Sequence, residues 1–459
     1  MIFKSEKVKS QWDTCIYIHE GIFHLFYVIM EQKDGQSYRD KHPDENILFE
    51  GIGTAISRDG VHFEDYGSVL EPSDKMVRYM GTGSPWKDTS SIGSRRFICN
   101  YSEYRRHQDN SETQHILFAW SEDLLKWHKY GEEFIFSPDS RFYEARGRWD
   151  CINVIEREHG GYWGMLTATP SGSQDLENGI GFGFSDDGLH WNALPPVQTQ
   201  PPAHEAGAFI RHDGKLYALF GRDMCVYAYH ADNIKGPYYE QNSDGRLLSA
   251  PHSYFARFFY NNNELLINHH SMNGIPTQRS IEEETYLAPI KKAVFDGDGN
   301  LRLAYWKGNE ALKGKPIAFL RDSCKDIVYL TPSCDFQRGI ILEGILAFEP
   351  GLTDILQLFI EADEQTFLIK IHQNRRLEMG DFSFQNKNFG IRQSVRRTLL
   401  KNSERLKYRL MLRRGMAEIY LDDYFMECWT LRCARAKKIR IWSPNIQSVI
   451  PTSIFEMNL

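Results

Sequence analysis

Three acidic residues stand directly before apolar, strand-like runs at widely separated places in the chain. Asp13 precedes CIYI, Asp150 precedes CINVI and Glu205 precedes AGAFI. Such a trio could cleave a glycoside, because one carboxylic acid protonates the leaving oxygen while a second carboxylate attacks the anomeric carbon or activates water. A third negative group would steady the oxocarbenium-like charge of the transition state. Repulsion among the three would raise the pKa of one acid toward the range that a general acid needs near neutral pH.

A metal site is the competing chemical interpretation of the same acids. Carboxylates without a His or Cys partner at ligand spacing would suit Ca²⁺. The eight cysteines are scattered, with no CxxC pair and no zinc-like spacing, and are simplest as free thiols in a reducing cytoplasm. We therefore expect no metal and no other cofactor. A single acid before a single strand is most often an ordinary loop residue, so the prediction depends on the elements that bring the three together.

A recurring turn motif indicates how the chain is organised. Residues 57–63, 121–127 and 185–191 read SRDGVHF, SEDLLKW and SDDGLHW, and each copy follows a short apolar run. The shared pattern is Ser-x-Asp-x-x-x-aromatic. We interpret it as a structural corner in which the polar side chains cap backbone N–H groups and the aromatic ring fills a gap between repeats.

A second series of strand-like segments predicts the fold. Five such segments interleave with the corners, at 21–28, 95–102, 161–168, 214–221 and 263–270, and helix-period stretches are nearly absent between them. Strand-only repeats of this length are typical of a β-propeller, whose ligands bind at the mouth of the central channel. We predict an all-β protein, with a five-bladed β-propeller over 1–312 and a C-terminal antiparallel β-sandwich over 313–459. The three acids would then converge from different blades.

Composition excludes several classes of partner. The 459 residues carry a formal net charge of −7, which argues against nucleic acid or an anionic membrane as the main partner. The basic stretch 392–440 is interpreted as the solvated face of a strand. No run resembles a signal peptide or is long enough to span a bilayer, so we expect a cytoplasmic protein, or a secreted one whose signal has been removed. The oligomeric state is left open.

Several segments resemble glycoside hydrolase family 32, the invertase and fructan-hydrolase family. QWDTCIYIHEGIFHLFY resembles its opening Trp-x-Asn-Asp-Pro-Asn motif and the strand that follows, RWDCINV resembles its Arg-Asp-Pro motif, and HEAGAFI resembles its Glu-Cys segment. The resemblance implies a retaining, exo-acting furanosidase acting on an oligosaccharide or small glycoside. It implies that Asp13 is the nucleophile, Asp150 the transition-state stabiliser and Glu205 the acid/base.

The chain also departs from the family pattern. The Asn-Asp-Pro-Asn core is reduced to Trp12-Asp13-Thr14, Trp149 intervenes between the Arg and Asp of the second motif, and Cys151 replaces its Pro. Two alternatives therefore stay open. One is an inverting glycosidase similar to the family 43 propellers, in which the first Asp would activate water. The other is a sugar-binding propeller without catalysis.

Further residues are candidates for contact with substrate. GTGS at 81–84 resembles a Ser-Gly-Ser motif of a substrate-lining loop, and PHSYFARFF at 251–259 resembles a fifth-blade Tyr-Ala segment. Trp86 could stack on a sugar or pack between blades, Arg148 could clamp a hydroxyl or pair with Asp150, and His252 could bind a hydroxyl or be an ordinary loop residue. Glu144 is a fourth acid near the expected mouth. The predicted substrate-binding set is Trp12, Ser84, Trp86, Arg148, His252 and Tyr254.

Overall fold

The structure is a computed structural model that describes most of the chain. The described residues are 1–32, 49–88, 97–241, 245–250, 252–273, 284–322, 327–330, 336–347, 354–362, 365–397, 405–431, 436–443 and 453–459. Within them the chain forms 36 β-strands and three short 3₁₀ helices, Glu132–Phe134, Gln174–Leu176 and Lys307–Leu312. None of the helices in these ranges is long and apolar enough to cross a bilayer. The all-β prediction is confirmed.

The first three blades are four-stranded antiparallel sheets whose strands pair in chain order. Blade 1 comprises β1 (Val8–His19), β2 (Ile22–Gln32), β3 (Gly51–Ser57) and β4 (Glu64–Leu70). Blade 2 comprises β5 (Val77–Lys87), β6 (Phe97–Arg106), β7 (Glu112–Ser121) and β8 (His128–Lys129). Blade 3 comprises β9 (Trp149–Glu156), β10 (Tyr162–Ala168), β11 (Gly179–Ser185) and β12 (Trp191–Val197).

Blades 4 and 5 complete the propeller ring. Blade 4 comprises β13 (Thr199–Gln200), β14 (Glu205–His212), β15 (Lys215–Arg222), β16 (Cys225–Ala231), β17 (Tyr238–Glu240) and β18 (Leu248–Ser249). Blade 5 comprises β19 (Ser253–Asn261), β20 (Glu264–Asn273), β21 (Glu284–Leu287), β22 (Lys291–Phe295) and β23 (Leu301–Tyr305). The inner strands β1, β5, β9, β14 and β19 contact one another in this order, and β19 contacts β1. The ring is therefore closed and five-fold.

The recurring Ser-x-Asp corners fix the turns between outer strands. In all three copies the serine hydroxyl accepts a hydrogen bond from the N–H three residues later, and the Asp carboxylate accepts from the N–H groups two and three residues after it, at 2.8–2.9 Å. The following ring packs against the neighbouring blade: Trp127 meets Phe26 at 5.9 Å, and Trp191 meets Trp86 at 6.4 Å. The structural interpretation of these repeats is confirmed.

The rest of the chain is a β-sandwich. One sheet of seven strands contains β25 (Phe319–Asp322), β26 (Ile327–Leu330), β28 (Asp354–Ala362), β29 (Thr366–His372), β30 (Leu377–Ser383), β31 (Asn388–Val395) and β35 (Ala436–Trp442). The facing sheet contains β24 (Lys313–Pro316), β27 (Ile340–Ala347), β32 (Arg405–Arg413), β33 (Met416–Leu421), β34 (Tyr424–Thr430) and β36 (Ser453–Met457). Leu and Ile side chains from both sheets form the core between them.

The basic strand β32 departs from the solvated face that its alternation predicts. Arg409 is 2% exposed. Its guanidinium donates to the carboxylates of Glu343, Asp423 and Glu310. A buried guanidinium with three acidic partners is neutralised by them, so the charge of Arg409 is structural.

The propeller and the sandwich share a sheet. Ala304 of β23 pairs with Tyr424 of β34, and the Tyr305 N–H donates to the Asp423 carbonyl at 2.7 Å, so blade 5 and one sandwich sheet form a continuous sheet of 11 strands. Close to this junction the Lys291 ammonium lies 3.0 Å from both carboxylate oxygens of Glu418, and both side chains are fully buried. The predicted domain limits at 312 and 313 fall between the last 3₁₀ helix and β24, and they stay a prediction.

The described cysteines are free thiols. They are Cys15, Cys99, Cys151, Cys225 and Cys428. The remaining three, at 324, 334 and 433, lie outside the described residues.

Candidate active site

Every inner strand of the propeller contains a β-bulge at a corresponding height. Pairing with the second strand of the blade shifts between residues 12 and 15 in β1, 82 and 85 in β5, 150 and 153 in β9, 206 and 208 in β14, and 254 and 257 in β19. A bulge inserts extra residues into one strand and redirects its side chains. Asp13, Cys151 and Phe255 take left-handed backbone conformations there, with φ of 36°, 26° and 52°. Non-glycine residues also take this conformation in hairpin turns of the chain, but inside a strand it is strained, and strain of this kind clusters at functional sites.

The three predicted catalytic acids occupy this zone, but at different positions along the bulge. Asp13 is itself the left-handed residue of the β1 bulge. Asp150 is the last paired residue before the β9 bulge and lies opposite Thr167. Glu205 lies opposite Gly221, two residues before the extra residue of the β14 bulge. The acids therefore come from corresponding ends of three inner strands without being equivalent residue by residue.

Asp150 is held as an ionised carboxylate. It is 7% exposed, its Oδ2 lies 2.7 Å from Arg148 Nη2, and its Oδ1 accepts a hydrogen bond from the Ser102 hydroxyl. Burial opposes ionisation, but the charge of Arg148 and the donated hydrogen bonds outweigh it and hold the pKa of Asp150 below its ordinary value. Gly81 of the GTGS motif leaves room for this carboxylate, because a Cβ there would lie 2.6 Å from Asp150 Oδ1.

Glu205 is joined to Asp150 through Arg148. The Arg148 Nη2 atom that binds Asp150 is also 3.8 Å from Glu205 Oε1. The Tyr254 hydroxyl donates to Glu205 Oε2. Burial, and then the negative charge of Glu205, raise the pKa of Tyr254, so its hydroxyl stays protonated and available as a donor. Gly221 brings the neighbouring strand close, since a Cβ there would lie 2.9 Å from the Glu205 Cβ.

Asp13 is electrostatically coupled to both other acids. Burial, and then the charges of Asp150 and Glu205, raise the pKa of Asp13 to about 7, against the opposing charges of Arg257 and Arg148. Burial is the larger cause, and the two like charges add the repulsion that the sequence argument predicts. The cluster therefore combines an acid held ionised with one that retains a proton up to neutral pH, and opposite protonation states of this kind are what acid–base chemistry requires.

Two residues of the site were missed by the sequence analysis. Tyr79 is coupled electrostatically to two of the acids, because burial, and then the charges of Asp150 and Asp13, raise its pKa. Arg257 is 2% exposed, stacks on Phe255 with 4.6 Å between the guanidinium carbon and the ring centroid, and donates to a blade 4 carbonyl. Arg257 could have been identified from the sequence, because it is a charged residue inside the apolar run SYFARFFY. Nothing in the sequence distinguishes Tyr79 from the other tyrosines of the strands.

Four of the predicted substrate-binding residues lie in the bulge zone. Trp12 adjoins Asp13 in the chain, and Arg148 and Tyr254 contact the acids directly. Ser84 lies in the β5 bulge, with its hydroxyl 3.5 Å from the Ile152 carbonyl of the β9 bulge. That these four residues contact a substrate stays a prediction.

The structure places the other two predicted residues in packing contacts. Trp86 is 7% exposed and packs against Phe118, Tyr162 and Trp191, so its indole is a blade-packing ring and not a stacking surface for sugar. His252 stacks on Trp429 of the sandwich at 4.0 Å.

The His252 Nδ1 also accepts from the Thr430 N–H at 3.1 Å, so this histidine belongs to the contact between propeller and sandwich. The fourth acid, Glu144, binds the Gly172 N–H at 2.9 Å, which ties it to a loop.

The described part of the chain contains no group of three or more His, Cys, Asp or Glu side chains arranged to hold a metal ion. The charges of the three acids are instead met by two arginines, Arg148 and Arg257.

Comparison with known proteins supports the fold. No protein-family model and no curated protein sequence matches the chain. Solved structures do match it. Sucrose-6-phosphate hydrolase from Lactobacillus gasseri aligns over 94% of this chain and 90% of its own, with a TM-score of 0.70 and 14% identity. The chain has the glycoside hydrolase family 32 fold.

Two further structures agree in fold. The family 32 β-fructofuranosidase BmSUC1 from Bombyx mori aligns over 98% of this chain and 92% of its own, with a TM-score of 0.68 and 13% identity. Fructan 1-exohydrolase IIa from Cichorium intybus aligns over 96% of both chains, with a TM-score of 0.65 and 11% identity. Because the alignments extend over nearly the whole of each chain, the predicted order of propeller and sandwich is confirmed.

Proposed function

We propose that the protein is a glycoside hydrolase, acting as a retaining, exo-acting furanosidase on an oligosaccharide or small glycoside. The observation that carries the proposal is the convergence of Asp13, Asp150 and Glu205 from the inner strands of three blades. Arg148 contacts both Asp150 and Glu205, and the charges of these two acids act on Asp13. Two structural neighbours are named as hydrolases or exohydrolases of sucrose phosphate and fructan, and a third as a β-fructofuranosidase, which supports a furanosidic substrate.

In the first step Glu205 gives its proton to the glycosidic oxygen as the bond to the anomeric carbon breaks. A carboxylate oxygen of Asp13 attacks that carbon and forms a covalent ester with the sugar. Asp150, held ionised by Arg148, stays anionic beside the ring and stabilises the positive charge that develops on it.

In the second step Glu205 removes a proton from water, and the resulting hydroxide attacks the anomeric carbon and releases Asp13 as a carboxylate. The first step needs one proton on the pair Asp13 and Glu205, positioned on Glu205 when substrate is bound, and the second step returns that proton to Glu205 from water. The raised pKa of Asp13 supports this, because it indicates that the trio retains one proton near neutral pH.

A substrate screen with stereochemical analysis tests the proposal. Sucrose, fructo-oligosaccharides, levan and aryl arabino-, xylo- and galactofuranosides are incubated with the protein, and NMR follows the first anomer released. Retention of configuration is expected for at least one furanoside, with Asp13→Asn and Glu205→Gln nearly inactive. Inversion would assign the family 43-like mechanism, and sugar binding without turnover would indicate a binding propeller. Wild-type rates in both variants would exclude this site.

A further inference from the structure

The bulges that carry the acids are held by the preceding blade. In three cases a polar side chain of the second strand of one blade bonds the backbone of the inner-strand bulge of the next. Strand β6 of blade 2 holds β9, β10 of blade 3 holds β14, and β20 of blade 5 holds β1 across the ring closure. Backbone groups within a bulge lose their ladder partners, so another bond must satisfy them when they are buried.

We call the polar side chain that bonds a bulge its clamp. At β9 the clamp is a side-chain amide. Asn100 Oδ1 accepts from the Ile152 N–H at 2.8 Å, and Asn100 Nδ2 donates to the Ile152 carbonyl at 2.8 Å. Asn100 is 1% exposed. Both backbone groups of the second bulge residue are thus fixed, two residues after Asp150.

At β1 two side chains share the same task. His270 Nε2 accepts from the Thr14 N–H at 2.9 Å, and Asn268 Nδ2 donates to the Thr14 carbonyl at 3.0 Å. Burial lowers the pKa of His270 to about 3, so the ring stays neutral and Nε2 remains an acceptor. Thr14 directly follows Asp13, whose left-handed backbone this pair of bonds constrains.

At β14 the clamp is a hydroxyl. Thr167 Oγ1 accepts from the Ala206 N–H at 2.9 Å, one residue after Glu205. The extra residue of this bulge is Gly207, where a Cβ would lie 2.6 Å from the Leu219 carbonyl oxygen. The backbone of Thr167 pairs with Asp150 in blade 3, whereas its hydroxyl bonds the β14 bulge, so a side-chain substitution changes only the contact beside Glu205.

We propose that these cross-blade hydrogen bonds fix the backbone beside each acid and thereby orient the three carboxylates. Asn100, Thr167 and His270 are then positioning residues of the reaction. The inference rests on the proposed function. None of the three donates to a carboxylate of the trio in the contacts described above; each acts through the backbone adjoining an acid. Without its clamp the blade should stay folded, but the backbone of the bulge should no longer orient the carboxylate beside it.

The variant pair Thr167→Val and Thr167→Ser tests the inference at Glu205. Valine has the shape of threonine without the acceptor, and serine keeps the acceptor. For kcat/KM on a glycoside with an alkyl leaving group, Thr167→Val should cost about 100-fold, the order of loss expected for a catalytic group misplaced by about 1 Å. For the nitrophenyl glycoside of the same sugar the loss should be below about 5-fold, because a good leaving group needs little protonation.

The matched variants give the controls. Thr167→Ser should stay within about 3-fold of wild type on both substrates, because its acceptor is retained. Asn100→Ala, which frees the backbone beside Asp150, should slow both substrates equally, because stabilisation of ring charge does not depend on protonation of the leaving group. Equal losses on both substrates in Thr167→Val, or a Thr167→Ser variant as slow as Thr167→Val, would overturn the inference.

Failure of the proposed function is distinguishable from failure of this inference. If the wild type cleaves neither substrate, the proposed function is wrong, and crystal structures of both Thr167 variants then decide the positioning role. A Glu205 carboxyl displaced by more than about 0.5 Å in Thr167→Val but not in Thr167→Ser supports the clamp, since functional groups must be held within that tolerance. An unmoved carboxyl in both overturns it.

Discussion

The raised pKa of Asp13 makes an unusual prediction: removing this carboxylate should stabilise the protein. The folded state holds the pKa at about 7, whereas the ordinary value is 3.8. Between these values the folded protein binds more protons at Asp13 than the unfolded chain does, so stability falls as the pH rises. Asp13→Asn removes the ionisation and should keep the left-handed backbone, which Asn tolerates well.

The magnitude follows from the pKa interval. About 3 pH units, multiplied by 1.36 kcal/mol for each unit, gives at most about 4 kcal/mol of unfolding free energy gained by Asp13→Asn above pH 8. Near pH 4 the gain should vanish, because both forms are then uncharged when folded. An unfolding entropy of about 2.1 cal/mol/K per residue converts 4 kcal/mol into a rise in Tm of about 4 °C, if the chain unfolds as one unit.

Thermal unfolding of wild type and variant between pH 4 and pH 9 measures this difference. Asp150→Asn is the matched control with the opposite sign. Its carboxylate has a lowered pKa in the folded state, so the native Asp150 contributes stability above the ordinary pKa, and that contribution is lost as the pH falls. Asp150→Asn should therefore be less stable than wild type at pH 8. A Tm gain for Asp13→Asn that is constant with pH, or a loss at pH 8, would refute the electrostatic account of the cluster.

Three further substitutions test other contacts. Gly81→Ala puts a methyl group 2.6 Å from Asp150 Oδ1; kcat should fall by about 100-fold with the far-UV circular dichroism unchanged, and a smaller loss than 5-fold would contradict the close approach. Tyr254→Phe removes the hydroxyl donor to the acid/base, and steady-state kinetics should show a loss of about 10-fold in kcat/KM, the value of a hydrogen bond to a charged group. Lys291→Met leaves the Glu418 carboxylate buried without its partner and should cost about 3–5 kcal/mol in urea unfolding; the double variant with Glu418→Gln should recover most of it, and no recovery would contradict the pairing.

Much of the fold was predictable from local chemistry. In each Ser-x-Asp corner the Ser and Asp side chains cap the N–H groups of their own turn, so the motif identifies the turn from the sequence alone. Three evenly spaced copies then indicate repeated blades. That Asp13, Asp150 and Glu205 come from three inner strands was predictable, because each stands directly before an apolar run in the sequence. Their different positions along the bulges were not, because a bulge depends on pairing with a neighbouring strand, and the sequence pattern around Asp13 does not reveal its positive φ.

The errors arose where tertiary packing decided the environment. An aromatic residue such as Trp86 beside a motif fits a sugar platform and a blade gap equally well, and the contact with Trp191, 105 residues away in the chain, decides between them. His252 was a candidate for binding a hydroxyl, and its ring stacks on Trp429 of the sandwich, a contact that the local sequence does not reveal. Arg409 alternates with apolar residues as a solvent-facing strand residue would, although distant acids surround it.

Blade 5 and the sandwich share a sheet, and this limits where the propeller and the sandwich can be separated or exchanged. A propeller severed after β23 would lose the pairing at Ala304 and Tyr305, and an unpaired strand edge can pair with strands of other molecules. It would also leave the buried Lys291 without Glu418, its acidic partner, which lies in the removed sandwich. The sandwich is therefore a continuation of the last blade, and exchanging it between related proteins would require the seam at Ala304 and Tyr424 to be exchanged with it.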